Sequence, residues 1–163
     1  MDIMANADNG FVIEHDALID LIRVAAGNGA TISFRARGPS MSPFIRDNDL
    51  LTVSPVIESD VKVGDVLAFV HPTTGGLIVH RIIKRDGNNF VMRGDSRFDE
   101  DGAFPTACLL GRVTGIRRGG MDVHFGLGLE RYLIAFLSKT GILAYLIRLA
   151  QLLGRAGKKR AAH

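Results

Sequence analysis

Ser40 stands in the stretch RARGPSMSPFIRDNDLLTV, which runs from Arg35 to Val53. The run opens as a strand, breaks at Gly38-Pro39 and resumes as an apolar strand, so a small hydroxyl falls on a tight corner between two buried-looking segments. A serine hydroxyl is a poor nucleophile until a neighbouring base takes its proton. In the surrounding β-rich sequence the side chains able to do so are His71, His80, His124, Lys62 and Lys84. His71 precedes a proline and reads as a surface turn residue, and His124 comes near the end of the β-rich block. His80 lies inside GLIVHRIIKR, an otherwise apolar strand where an imidazole is costly without a partner. Strand alternation puts it on one face with Ile78 and Ile82, while Arg81 points the other way. Such a histidine is either a satisfied structural residue or the base for Ser40.

A third piece is VMRGDSRFDEDGAF. Gly94-Asp95 ends a strand, and Asp99, Glu100 and Asp101 follow within one loop. A carboxylate that accepts the far N–H of a histidine fixes its tautomer and stabilises the imidazolium formed during proton transfer. The plainer alternative is that Asp95 caps the turn and the acidic trio is solvated. DSRFDEDG lacks the alternating oxygen ligands and terminal glutamate of a calcium loop, so neither a metal site nor a cofactor is expected.

These pieces need a scaffold that brings distant segments together. From about Glu14 to Ala26, EHDALIDLIRVAA places Ala17, Leu18, Leu21, Ile22 and Ala25 at helical spacing, and GNG ends the run. From about Thr31 to Phe125 come the strand-like runs TISFRAR, DLLTVSPV, DVLAFVHP, GLIVHRIIKR, NNFVMRG, LLGRVTGIRR and MDVHFG. Gly, Asn, Asp and Pro punctuate them at short intervals, and RDGNNF reads as a hairpin turn. The expected fold class is mainly β: a barrel-like core at 31–125, a helical segment at 1–30 and a helical tail at 126–163. The 163 residues, 47% hydrophobic, suffice for one domain with a real core and an appendage. With two tyrosines and no tryptophan, that core is one of Val, Ile, Leu and Phe. Cys108 is alone, so no intrachain disulfide can form, and it reads as a small core residue.

The segment LERYLIAFLSKTGILAYLIRLAQLLG, Leu129 to Gly154, is long and apolar enough to span a bilayer, but Lys139 and Arg148 fall within it and Gly141 divides it. In its second half Arg148, Gln151 and Arg155 share one face, while Ile142, Leu143, Leu146, Leu149 and Leu153 cover much of the rest. That pattern suits an amphipathic helix lying on a membrane surface or a partner protein; packing back onto the β-block is the alternative. The closing GRAGKKRAAH adds four basic residues and no acid to a chain of net charge +3 and pI near 9.4. At the other end, MDIMANADNGFVIEHD carries acids where a secretory signal needs bases and then an apolar run. Neither a signal peptide nor a leading span is expected there. Any tether is then C-terminal, and the expected localisation is cytoplasmic with membrane association through that segment.

Taken in order, the motifs resemble one family. GPSMSPFIRDNDLLTV is similar to the serine box of type I signal peptidases and the related LexA-like autoproteases, where Ser-Met and then Pro precede a strand. VKVGDVLAFV resembles the next box, LIVHRIIK the general-base box, and FVMRGDSRFDED the Gly-Asp box that closes the site, with LLGRVTGI like the final strand. Bacterial signal peptidases and LexA-like proteins generally use lysine as the base; His80 followed by Arg81 resembles the archaeal, endoplasmic-reticulum and spore-former branch. The resemblance implies Ser40 as nucleophile, His80 as base, and Asp101 or Asp95 as the carboxylate that orients it. It also implies an oxyanion site at the Ser40 N–H with little help from Gly38, and a substrate wall supported by Met41. The expected activity is endoproteolysis of a leader or signal-like peptide of a protein precursor, after small residues. Two alternatives stand beside it: a catalytically silent peptide-binding or partner-docking member, and a LexA-like regulator cutting itself at Ala26-Gly27. The first thirty residues are too short for a DNA-binding helix-turn-helix domain, and no nucleic-acid partner is expected.

Overall fold

The structure, a computed structural model, describes Ile3, Met4 and residues 15–160. In chain order it contains β1 (Ile3–Met4), α1 (His15–Gly27), β2 (Ile32–Arg35), β3 (Leu50–Ser54), β4 (Val66–Val70), β5 (Leu77–Asp86) and β6 (Asn89–Arg93). Then follow β7 (Gly102–Pro105), β8 (Leu109–Arg118), β9 (Met121–Asp122), α2 (Arg131–Lys139) and α3 (Ile142–Arg160). The sheet runs β1-β2-β3-β8-β4-β5-β6-β7, with β9 paired to β8. Its pairings are antiparallel except β1 with β2. The mainly β expectation holds, but the sheet is not a closed barrel: β1 and β7 lie at opposite ends of the strand order.

Residue pattern explains the layering. β3 alternates half-buried and buried positions, as a strand covered on one face should. β4 instead buries Val66, Leu67, Ala68 and Phe69 together, because it divides two cores. Val66 and Ala68 join Ile19, Ile22 and Ala25 of α1 with Phe34, Leu51 and Val113. Leu67 and Phe69 join Ile82, Phe90, Met92 and Phe104. Bulges between Thr52 and Val53, Ala68 and Phe69, and Ile82 and Lys84 add the bend that wraps one sheet around both. The β5–β6 hairpin closes through Gly87 and Asn88, with Asp86 opposite Asn89.

At the C-terminal end, α2 buries Ile134, Ala135 and Ser138. Its approach is fixed by Glu130, whose Oε1 accepts the N–H groups of Gly126 at 2.6 Å and Gly128 at 2.9 Å. Those backbone bonds, Gly126 foremost, hold the Glu130 carboxyl below its ordinary value. The Arg93 guanidinium donates to the Ser138 carbonyl in the last turn of α2, where cations are favoured. α3 then departs from α2 at an angle of 92°. Among the described residues no single helix is long and apolar enough to cross a membrane.

The loop from β2 to β3 is closed by an ion pair. Arg118, at the end of β8, donates to both oxygens of buried Asp49 at 2.9 and 2.7 Å and to the Phe44 carbonyl at 3.0 Å. Burial alone would raise the Asp49 carboxyl, but the Arg118 bonds and the Arg46 N–H outweigh it and leave the group below its ordinary 3.8. A depressed carboxyl stabilises the fold above its unfolded value, and the contribution is lost as pH falls through the folded one. Asp49→Asn is therefore expected to cost about 1.5–3 kcal/mol at neutral pH. Denaturant titrations of both proteins should show that gap closing as pH drops below about 4.

Candidate active site

The chain after β2 is shaped to hold Ser40 still. Gly38 takes a left-handed φ of 85°, which a side chain would resist, and its N–H is bound by Asp47 Oδ1 at 2.8 Å. Beyond Ser40 the chain makes a helical turn, with Ser42 N–H on the Pro39 carbonyl and Ile45 N–H on the Met41 carbonyl, both 3.0 Å. Met41 and Ile45 are buried in the core shared with α1, so apolar burial anchors the turn from below. Ser40, between the exposed Pro39 and the buried Met41, is half-buried.

His80 on β5 meets it. Ser40 Oγ lies 2.9 Å from His80 Nε2, and His80 Nδ1 is hydrogen-bonded to Asp101 Oδ2. A carboxylate on Nδ1 keeps the proton there and leaves Nε2 as an acceptor for the serine O–H. His80 is opposite Leu67 on β4, and its ring sits 6.5 Å from that of fully buried Phe69. Asp101 reaches the ring because its own N–H binds the Met92 carbonyl at 3.0 Å, starting the β6–β7 ladder.

The neighbouring residues use the opposite face. Arg81 and Asp95 are both fully buried and joined by two parallel bonds, Nε to Oδ1 and Nη2 to Oδ2, each 2.8 Å. Arg81 Nη1 donates to the Gly64 and Gly126 carbonyls, both at 2.9 Å. Alternation thus divides the two hairpin arms: His80 and Gly94 face Ser40, while Arg81 and Asp95 face inward.

The structure gives each residue singled out in the sequence a definite place. Both oxygens of Asp95 are taken by Arg81, and the carboxylate on His80 is Asp101. Met41 is a core residue, and the Gly38 N–H is occupied by Asp47. His71 is a turn residue, its Nδ1 accepting from Thr73 and Thr74 N–H at 3.3 Å. Two contributors escaped the sequence reading. Ser96 binds the Ser40 carbonyl through its N–H at 2.9 Å, and its hydroxyl lies 2.9 Å from the Pro39 and Ser40 carbonyls. Gly94 matters for what it lacks: a Cβ there would stand 2.7 Å from the Ser40 carbonyl oxygen and 3.0 Å from His80 Nε2. The only signal for either was their place in RGDS, where Gly94 reads merely as a strand end. Among the described residues no cluster of His, Cys, Asp and Glu could hold a metal ion.

A hydroxyl, an imidazole and a carboxylate in line, on an antiparallel sheet, make the layout of a serine hydrolase. The family model described as Peptidase S24-like matches residues 4–100, and the chain belongs to that family. Its general kind of function is therefore that of a LexA-like serine peptidase. The matched span holds Ser40 and His80 and stops one residue before Asp101. No curated protein and no solved structure matches the chain.

Removing Asp95 alone strands a buried guanidinium. Asp95→Ala is expected to cost about 3–5 kcal/mol, whereas Arg81→Met combined with Asp95→Leu should recover most of that loss in chemical denaturation. Gly94→Ala should cost about 1–3 kcal/mol through overpacking. A crystal structure of that variant is expected to show the Ser40–His80 hydrogen bond broken.

Proposed function

We propose that this chain is a serine endopeptidase of the Ser-His type, which cleaves the leader or signal-like peptide of a precursor after small residues. The observation that carries the reading is the 2.9 Å approach of Ser40 Oγ to His80 Nε2, with Nδ1 engaged by Asp101. In the first step His80 Nε2 takes the hydroxyl proton as Ser40 Oγ bonds to the scissile carbonyl carbon. Asp101 stabilises the resulting imidazolium, and His80 then passes the proton to the departing amine. Water, deprotonated by the same nitrogen, hydrolyses the Ser40 ester and regenerates the site.

The oxyanion donor is the one the resemblance implies, and the corner is compatible with it. Pro39 has no N–H and that of Gly38 is bound to Asp47, so the Ser40 N–H is the group assigned to the developing charge. Arg81 stands next to the base in sequence, but its guanidinium is paired with Asp95 on the other face and takes no part in the Ser40–His80 contact. The preference for small residues comes from the resemblance to signal peptidases. Self-cleavage at Ala26-Gly27 is not favoured: the bond lies in the last turn of α1, beside Ala25, which is buried in the core.

The test is mass-spectrometric detection of products from a peptide panel rich in small-X-small sites. Wild type should cut, and Ser40→Ala should not. His80→Ala and Asp101→Asn should each lower the rate by about a thousandfold or more with unchanged thermal unfolding. The wild-type rate should climb from acid to neutral pH as the imidazole loses its proton; a flat profile would rule out a histidine base.

A further inference from the structure

The outer side of the C-terminal helices is apolar and uncovered. On α2 and just before it, Leu129, Leu133 and Phe136 recur at helical spacing and are 85%, 61% and 61% exposed. On α3, Ile142, Tyr145, Leu146, Leu149, Leu152 and Leu153 continue the surface, all exposed. Among the described side chains of α3, Leu143 and Ala144 in the first turn are buried, and most of those that follow, up to Leu153, are exposed. Scattered exposed leucines are ordinary, but a run of this extent marks an interaction site.

Charge identifies what covers it. From Arg131 to His163 there is no Asp or Glu, while Arg131, Lys139, Arg148, Arg155, Lys158, Lys159 and Arg160 are all basic. Arg131 is paired with Asp65 in the body, which leaves the cations of α3 concentrated toward its far end. A protein partner for an apolar groove would need no such one-signed block. An anionic lipid surface rewards both features, taking apolar side chains into the acyl boundary and basic ones at the headgroups.

We infer that the outer face of α2 and α3 seats on an anionic membrane surface, with both helices lying along it. Among the described residues no single helix is long and apolar enough to cross, and the 92° bend between the two fits a pair resting at the interface. The seat adjoins the catalytic loop. Arg148 of α3 stacks over the Phe98 ring at 5.4 Å, and Phe98 lies between Asp95 and Asp101. The membrane seat rests on these helices alone and stands whether or not the peptidase reading does.

The chain has no tryptophan, so Leu152→Trp gives a lone fluorescent reporter in the full-length protein. Titration with phosphatidylcholine–phosphatidylglycerol vesicles should shift its emission to the blue and carry the protein into the vesicle pellet. Phosphatidylcholine alone should do so far less, and salt should weaken the anionic case. Leu133→Glu, Phe136→Glu and Leu149→Glu together change exposed positions only. With thermal unfolding preserved, they should weaken binding by about tenfold or more. Equal binding by this triple variant, or none by wild type, overturns the proposal. So does a lipid-free dimer in sedimentation velocity that the triple variant abolishes and that binds no vesicles, since a second copy would then be the occupant.

Discussion

A charged guanidinium with no access to water is costly unless its N–H groups find partners, and Arg81 engages four of its five through bonds to carboxylate and carbonyl oxygens. Two go to Asp95, one to the turn before β4 and one to the chain leading into α2. That requirement fixes how β5 sits against three other segments. Since successive residues on a strand face opposite ways, fixing Arg81 on the inner face also fixes His80 on the outer one. A one-residue slip would bury the imidazole where the guanidinium belongs. The buried pair thus sets register more than it adds stability, since taking two charges out of water consumes much of their attraction.

Against that frame, the site tolerates little slack. The serine corner and the β6–β7 loop are stitched together by Ser96, whose N–H and hydroxyl reach the carbonyls on the serine's own backbone. The absent side chain at Gly94 lets the two loops close. Arg118 and Asp49 hold the far side of the same corner. The half-buried hydroxyl is therefore held in place by polar bonds behind it, an arrangement that leaves little ordering still to be done at the site.

Much of this was legible in the residues. The corner around Ser40 announced itself through Gly38-Pro39 between two strand runs, and His80 through its presence in an apolar strand. The alternation that set Arg81 apart from His80 was equally readable. Which acid would meet the histidine was not, because Asp95 and Asp101 share one loop and only the three-dimensional course of that loop sends the first to Arg81. β7 was missed: GAFP is four residues long, starts with glycine and ends with proline, and owes its extended form to pairing with β6. Gly141 was readable as a divider of the C-terminal helices, but the angle they adopt depends on packing that periodicity does not encode.

The place of β8 has one more consequence. Strand order sets it between β3 and β4, so among the described strand ladders it joins the half of the sheet next to Ser40 to the half bearing His80 and Asp101. A ribosome makes the serine corner early and the histidine hairpin next, yet the strand that unites them only after both. Until about residue 118 has emerged, the two halves share no completed ladder, and closing them must meet the entropy of long loops. The sheet that holds Ser40 against His80 and Asp101 is therefore completed late, when β8 becomes available to pair with both β3 and β4.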